Sequence, residues 1–135
     1  MREILFRGKR KEMGEWIYGW LGHLHSYNPQ AKSISSIYFT EITEDYESRS
    51  NIIVDYKTVG QYTGLTDKNG KKIFEGDICK HRSNYSGDFV ISIVTYTDGQ
   101  FLSMVNENSG FNLSDKLEVI GNIHDNPELL KGGEG

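Results

Sequence analysis

The sequence predicts a small, mainly β protein that ends in one short helix. Two observations predict this class. Runs of alternating apolar and polar residues recur along the chain, separated by Gly, Asn and Asp, as in strands joined by tight turns. Aromatic residues make up 12% of the 135 residues, including eight Tyr. Such large side chains supply the burial that a chain of this length needs for a folded core.

The first part of the chain is predicted to form a set of N-terminal β-strands. The predicted strands cover residues 4–6, 15–21 and 33–42, with a further strand that begins at residue 52. Within the second of these, Trp16, Tyr18 and Trp20 share one face because strand side chains alternate. Such an aromatic face can stack on nucleic-acid bases, but in a small β protein we expect it to be core. The basic run at residues 7–11 is expected to be a solvated loop between strands.

The central stretch, residues 58–80, is predicted to contain a tight turn and a bend. Asn69-Gly70 predicts a type I′ hairpin turn, because both residues tolerate positive φ angles. The bend around Gly76-Asp77 would let Phe74 and Ile78 both reach the core. It is typical of the strand entry in small β-barrels of the Src-homology-3 type, which is an analogy of fold and not of function.

The last part of the chain is predicted to hold a clear hairpin, a final strand and the helix. The hairpin joins residues 89–96 to residues 101–105 through Asp98-Gly99, and the final strand covers residues 117–123. The helix follows Asn126, a good N-cap, with Pro127 at its first position. We therefore predict an N-terminal β subdomain at residues 1–57, a C-terminal β-barrel at 58–130 and a flexible tail at 131–135.

Charge and composition limit the function classes. The net charge is −4 and the isoelectric point is about 5.5, whereas domains that mainly bind phosphate backbones are usually basic. Cys79 is the single cysteine, so no disulfide framework and no paired-cysteine zinc motif is expected. The apolar run at residues 4–6 is too short for a signal peptide, and no stretch resembles a membrane span. The cytoplasm of a bacterial host is the expected location.

Candidate catalytic and metal-binding patterns are weak. His23 with His25 and Cys79 with His81 are spaced i, i+2, so each pair points to one side of a strand and could supply zinc ligands. Cys79 with His81 could also form a thiol–imidazole dyad. Neither pattern has an anchoring motif or a third orienting group, so surface histidines and a semi-buried cysteine are expected. Asp77 is expected to bond backbone amides in the bend. We predict no catalytic residue, no cofactor and no metal.

The turn at residues 67–70 has the letters of a calcium-binding loop but lacks its remaining ligands. Such a loop needs an oxygen ligand two residues after Asn69 and a bidentate Glu at its twelfth position. Lys71 and Ile78 occupy those positions, so calcium is excluded.

Six sequence blocks, in order along the chain, resemble the YopX family of phage and prophage proteins. The blocks are residues 2–9 (REILFRGK), 14–19 (GEWIYG), 59–65 (VGQYTGL), 67–71 (DKNGK), 73–78 (IFEGDI) and 118–123 (EVIGNI) with 126–130 (NPELL). Ile17 and Cys79 depart mildly from positions that resemble Val in the family. The resemblance implies a mostly β protein of phage or prophage origin, with a C-terminal part similar to a Src-homology-3-type barrel. It implies no established activity and no catalytic residues.

The function predicted first is a non-enzymatic accessory protein that binds a protein of the phage or its host, with self-association as a homo-oligomer a further expectation. The alternative is a small β-barrel module that binds nucleic acid through a basic patch. The patch would consist of Arg7, Lys9, Arg10, Lys11, Lys71, Lys72, Lys80 and Arg82. An enzyme is the third hypothesis and would need a deep pocket that gathers Cys79, His81 or Asp77, or the paired histidines.

Overall fold

The computed structural model describes residues 4–12, 14–31, 33–42, 48–83 and 85–130, without the side chains of residues 23–25, 33–35 and 48. These residues form eleven β-strands and two 3-10 turns. The strands are β1 (Phe6–Lys9), β2 (Trp16–Asn28), β3 (Ser33–Ile42), β4 (Ser48–Asp55), β5 (Gly60–Thr66), β6 (Lys72–Phe74), β7 (Asp77–Arg82), β8 (Phe89–Thr97), β9 (Gln100–Met104), β10 (Gly110–Asn112) and β11 (Glu118–Asn122). The 3-10 turns are Tyr56–Thr58 and Pro127–Leu130. The mainly β prediction is confirmed.

The chain divides into two compact units, Met1–Gln61 and Tyr62–Gly135, and we call them unit 1 and unit 2. The predicted domain boundary after residue 57 stays a prediction. So does the predicted flexible tail at residues 131–135, which lies outside the described residues.

Unit 1 is built on an antiparallel sheet in which β4, β3, β2 and β1 follow one another, and the first residues of β5 pair with β1. One face of this sheet carries the buried cluster Ile17, Ile37, Phe39 and Val54. These residues alternate with outward-facing neighbours along each strand, as expected when one face of a sheet is buried. The long strand predicted over residues 33–42 is confirmed as β3.

The expectation that the basic run at residues 7–11 forms a loop is wrong for its first half. Arg7 and Lys9 lie in β1, which pairs with β2 and, at Phe6 and Arg7, also with β5. Gly8 allows this placement, because an added Cβ would come within 3.0 Å of the Val54 side chain. Pairing and close packing therefore outweigh the local charge that favoured a solvated loop.

Unit 2 contains β5 from Tyr62 onward, its hairpin partner β6, and a five-stranded antiparallel sheet in the order β10-β9-β8-β7-β11. Its buried cluster consists of Ile73, Cys79, Val94 and Leu117. The predicted Src-homology-3-type barrel is not confirmed. Among the described strands, β10 and β11 end the sheet at opposite edges and do not pair with each other, so the sheet is open. Barrel closure depends on pairing between strands distant in sequence, which a local bend does not specify.

Two predicted hairpins are present, and one of them has a different turn. Asp98 (φ 52°) and Gly99 (φ 84°) join β8 to β9 through a two-residue loop, as predicted. In the β5–β6 hairpin, Gly70 has a positive φ of 82°, but Asn69 does not, so the predicted type I′ turn is wrong. Instead, Gly70 N–H donates to the Asp67 carbonyl (3.0 Å), and Asp67 N–H donates to the Lys71 carbonyl (2.8 Å). This pattern fits a longer loop closed by a left-handed glycine.

The bend between β6 and β7 is confirmed. Phe74 and Ile78 are both buried, and Gly76 between them has a φ of 93°. The predicted C-terminal helix is not confirmed, because residues 127–130 form a single 3-10 turn. An i→i+3 bond from Leu129 N–H to the Asn126 carbonyl (3.1 Å) helps to hold that turn. A segment this short cannot offset the cost of nucleating an α-helix.

Candidate functional site

The Cys79 thiol is not placed for nucleophilic or metal chemistry. Its side chain is 0% exposed and belongs to the core of unit 2. Burial raises the pKa of the Cys79 thiol to about 12, and the nearby Asp77 and Asp67 carboxylates act in the same direction. The thiolate is the form that attacks substrates and binds metals. At neutral pH this residue is therefore a small core side chain.

Of the two histidine-containing pairs, Cys79 and His81 belong to no metal-binding group among the described side chains. His81 packs its ring against Phe111, with the ring centroids 4.5 Å apart. The side chains of His23 and His25 lie outside the described residues. No group of three or more His, Cys, Asp or Glu side chains among the described residues is arranged to hold a metal ion.

Asp77 and Asp67 are buried carboxylates that organise the backbone. Asp77 Oδ2 accepts from the Phe74 N–H at 2.7 Å across the bend, which confirms the predicted role. Asp67 Oδ1 accepts from the N–H groups of Asn69 (2.8 Å) and Lys71 (2.9 Å), and its Oδ2 accepts from Val119 N–H (3.0 Å). Burial by itself raises the pKa of Asp67, but these hydrogen bonds together bring it below its usual value.

A groove of about 730 Å³ lies in unit 2, and we call it the basic groove. It combines basic and aromatic side chains. Its lining residues are Lys68, Lys80, His81, Arg82, Ser83, Tyr85, Phe89, Phe111, Ser114, Lys116, Leu117 and Glu118. Four lysine or arginine side chains and one carboxylate give this lining a formal charge of +3 with neutral histidine, although the whole chain carries −4. The groove is therefore a local positive region on an acidic protein.

The register of β7 places the groove's central charges. Arg82 pairs with Phe89 of β8, and Lys80 lies two residues before Arg82 on the same face. Lys80 Nζ and the Arg82 guanidinium carbon lie 4.9 and 4.8 Å from the centre of the Phe89 ring. Glu118, opposite Lys80 on β11, holds its Oε1 3.8 Å from Lys80 Nζ and 3.5 Å from Lys68 Nζ. The Glu118 carboxylate thus lies within ion-pair distance of two lysines, one from the β5–β6 turn and one from β7.

One backbone–backbone and one backbone–side-chain hydrogen bond bring the β5–β6 turn beside β11 at this groove. Lys68 N–H donates to the Leu117 carbonyl (2.9 Å), and Val119 N–H donates to Asp67 Oδ2 (3.0 Å). The described pairing of β11 with β7 ends at Glu118 and Lys80, so His81 and Arg82 extend beyond it and line the groove.

A second exposed feature is the pair Tyr18 and Trp20 on β2 of unit 1, which we call the aromatic pair. Tyr18 is 40% and Trp20 54% exposed, and both point to the face of the sheet opposite Ile17. Gly19 between them lies close to β3, because an added Cβ would fall 1.9 Å from the Thr40 carbonyl oxygen. The expectation that this aromatic face is core is wrong for these two residues.

The structure divides the predicted basic patch among separate places. Arg7 is buried, and its guanidinium lies over the Trp16 ring at 4.7 Å. Lys9 Nζ lies 5.7 Å from the centre of the same ring. Arg10 forms a 2.7 Å ion pair with Glu15, and Lys11 is exposed.

The other four patch residues lie further along the chain. Lys71 and Lys72 belong to the β5–β6 hairpin, where Lys72 Nζ lies 5.3 Å from the centre of the Tyr62 ring. Lys80 and Arg82 line the basic groove. Sequence reasoning missed Lys68 and Lys116, which also line the basic groove. The two lysines are 48 residues apart, and a spacing of that length predicts no contact.

The described residues form two antiparallel β units, with an exposed aromatic pair on one and a basic groove in the other. The YopX protein family model matches residues 5–131, and the chain belongs to this family. The chain is also similar to a solved structure titled "Crystal structure of protein EF1440 from Enterococcus faecalis". The two share 26% identity with a TM-score of 0.58, over 96% of this chain and 99% of that one. A comparison with curated proteins finds no match. The described residues contain no helix with the length and apolar character needed to cross a membrane.

Proposed function

We propose that this chain is a non-enzymatic phage or prophage accessory protein that binds a protein partner of the phage or its host in the bacterial cytoplasm. The observation that carries the proposal is the exposure of the aromatic pair, Tyr18 and Trp20, on one face of a paired strand. Tyr and Trp are the residue types most enriched at the energetic centres of protein interfaces. The phage or prophage origin is what the sequence resemblance implies.

The position of the aromatic pair suits a protein interface. Both side chains stand on β2, which pairs with β1 and β3 on its two sides, so the backbone beneath them is held by hydrogen bonds. A rigid platform loses little conformational freedom when a partner docks. A Trp side chain that is 54% exposed also offers a large apolar area that gains from being covered.

The absence of enzymatic activity is part of the proposal and has separate support. Cys79 is a buried thiol with a raised pKa. Asp67 and Asp77 are buried and accept hydrogen bonds from backbone amides. None of these groups has the exposed, activated setting of a nucleophile or general base.

The proposal is tested by capturing partners from phage-infected host cells with tagged wild type, Trp20→Ala and Tyr96→Ala. Tyr96 is a matched control because it is an aromatic residue with 53% exposure, but it lies in unit 2. We expect one protein to be captured by wild type and Tyr96→Ala, with or without nuclease, and to be lost with Trp20→Ala. With that purified partner, Trp20→Ala should cost about 2 kcal/mol of binding free energy, measured by calorimetry.

Three outcomes contradict the proposal. Retention of the partner by Trp20→Ala would remove the aromatic pair from the interface. Loss of the partner after nuclease treatment would make the contact indirect. A wild-type oligomer that Trp20→Ala dissociates, seen by light scattering, would mean that a second copy of this chain covers the pair. Thermal unfolding of each variant checks that the fold is intact.

A further inference from the structure

We propose that the basic groove of unit 2 binds single-stranded nucleic acid. This ligand is separate from the protein partner proposed above, and its site shares no residue with the aromatic pair. The inference starts from the convergence of Lys68, Lys80, Arg82 and Lys116 in one concave surface, with Glu118 the one carboxylate in its lining.

The charge of the groove calls for an anion. Four basic side chains around one carboxylate repel one another, and a bound phosphate relieves that repulsion. Arg82 is also preset for contact, because its Nη1 donates to the Gly87 carbonyl at 2.8 Å, which fixes the guanidinium beside the Phe89 ring. A held guanidinium loses less rotamer freedom when it meets a phosphate oxygen. The groove therefore has the electrostatic part of a nucleic-acid site.

Aromatic side chains provide the second part. Phe89 is 57% exposed, and Tyr85, at the loop after β7, is 102% exposed. Exposed rings beside cations are the combination on which single-stranded binders stack bases while they hold the backbone. The loop that carries Tyr85 is held by backbone bonds from Ser83 N–H to the Asp88 carbonyl (2.8 Å) and from Gly87 N–H to the Ser83 carbonyl (3.0 Å). Tyr85 thus projects from a defined turn beside the charges.

These features favour a single strand over a duplex and over an acidic peptide. Bases in a duplex are stacked on each other, so their faces are not available to rings such as Tyr85 and Phe89. An acidic peptide would satisfy the charges but would leave the exposed rings without a stacking partner. A single strand uses both the phosphate-binding and the base-stacking surfaces of the groove.

The test is fluorescence anisotropy with a labelled oligothymidylate and a labelled oligouridylate, over a salt series that starts at low salt. The groove variant is Lys68→Glu with Lys116→Glu, both on exposed lysines of the lining. The charge-matched control is Lys11→Glu with Lys57→Glu, on exposed lysines of unit 1. Tyr85→Ala tests stacking without a change of charge.

We expect wild type and the control to bind, and the groove variant to bind at least about tenfold more weakly. The slope of log affinity against log salt should fall by about 0.7 for each phosphate contact that the groove variant loses. Tyr85→Ala should weaken binding about tenfold and leave that slope unchanged.

Four results would overturn the proposal. The first is that wild type does not bind at low salt, and the second is that the groove variant and the control lose affinity equally. The third is that wild type binds duplex more tightly than single strand. The fourth is that a poly-glutamate peptide at equal charge concentration displaces the oligonucleotide. Matching unfolding temperatures of wild type and variants ensure that any loss of binding reflects the groove.

Discussion

The two regions richest in basic side chains, residues 7–11 of unit 1 and the basic groove of unit 2, differ in where their charges are placed. In the first, Arg7 is buried against Trp16, and Arg10 is paired with Glu15. In the groove, Lys80 and Arg82 of β7 meet lysines from the β5–β6 turn and from the segment before β11. The basic residues that lie close together in the sequence are therefore partly buried or paired in the structure. The basic residues that are far apart in the sequence come together in the groove.

This difference shows that the position of a basic patch depends on how the strands pair more than on how closely the basic residues follow one another in the sequence. Strand neighbours alternate between faces, and pairing brings together residues far apart in the chain. Arg7 is placed on Trp16 by the β1–β2 register, in which Arg7 pairs with Tyr18 and Lys9 with Trp16. Lys80 is placed beside Glu118 by the β7–β11 register.

The largest expected effect is that of Arg7→Glu on the stability of unit 1. The substitution would bury a carboxylate where a guanidinium now lies over the Trp16 ring, at 5% exposure. We expect a loss of more than about 3 kcal/mol in the free energy of unfolding, because the buried carboxylate loses its solvation and the cation–ring contact with Trp16 is removed. Urea denaturation measures it. Lys116→Glu, an exposed lysine of the groove, should change stability by less than about 0.5 kcal/mol. Similar costs for the two variants would contradict the contrast between the regions.

The next effect concerns Asp67, which holds the turn of Lys68 against β11. Asp67→Ala would leave the amides of Asn69, Lys71 and Val119 without their acceptor. We expect Asp67→Ala to lower the free energy of unfolding, measured by urea denaturation, by about 2–3 kcal/mol. The reason is that a charged acceptor with several donors contributes more to stability than a neutral one. The affinity of the basic groove for single-stranded nucleic acid should also fall, because Asp67 holds the turn that carries Lys68.

The same carboxylate predicts a pH dependence of stability. Because the folded-state pKa of Asp67 is lowered, its contribution is fully present above the unfolded-state pKa of about 3.9 and is lost as the pH falls through the lower folded-state value. Asp67→Asn should remove this part of the acid sensitivity, which urea denaturation at several pH values below 5 can measure. Identical pH profiles for wild type and Asp67→Asn would show that the carboxylate is not a source of acid lability.

The smallest expected effect is that of Glu118→Gln. Its ion pairs with Lys68 and Lys80 are long, at 3.5 and 3.8 Å, and partly exposed, so stability should change by less than about 0.5 kcal/mol. The groove charge would rise from +3 to +4, and affinity for single-stranded nucleic acid should increase about threefold at low salt and less at high salt. Weaker binding would mean that Glu118 positions the lysines more than it opposes the ligand. Glu12→Gln, an exposed carboxylate of unit 1, is the matched control.

Much of the local structure could be predicted because its cause is local. Alternation over residues 33–42 predicted β3, and Asp98-Gly99 predicted the β8–β9 turn, since two adjacent residues that tolerate positive φ suit a two-residue loop. The same reasoning was wrong at Asn69-Gly70. There, the buried Asp67 carboxylate binds the turn's amides and supports a longer loop.

Sequence reasoning was sufficient for the β class, the Asp98-Gly99 turn, the bend that buries Phe74 and Ile78, and the family resemblance. The class, the turn and the bend depend on residues close together in the chain, whereas the family resemblance depends on blocks spread along residues 2–130. The folded chain was needed to show that the sheet of unit 2 is open among its described strands and that Trp20 is exposed. It also decided that Lys68 and Lys116 join Lys80 and Arg82 in one groove. Strand register and packing bring distant residues together, and those pairings cannot be read from composition or from local spacing along the chain, because they depend on how whole strands fit against one another.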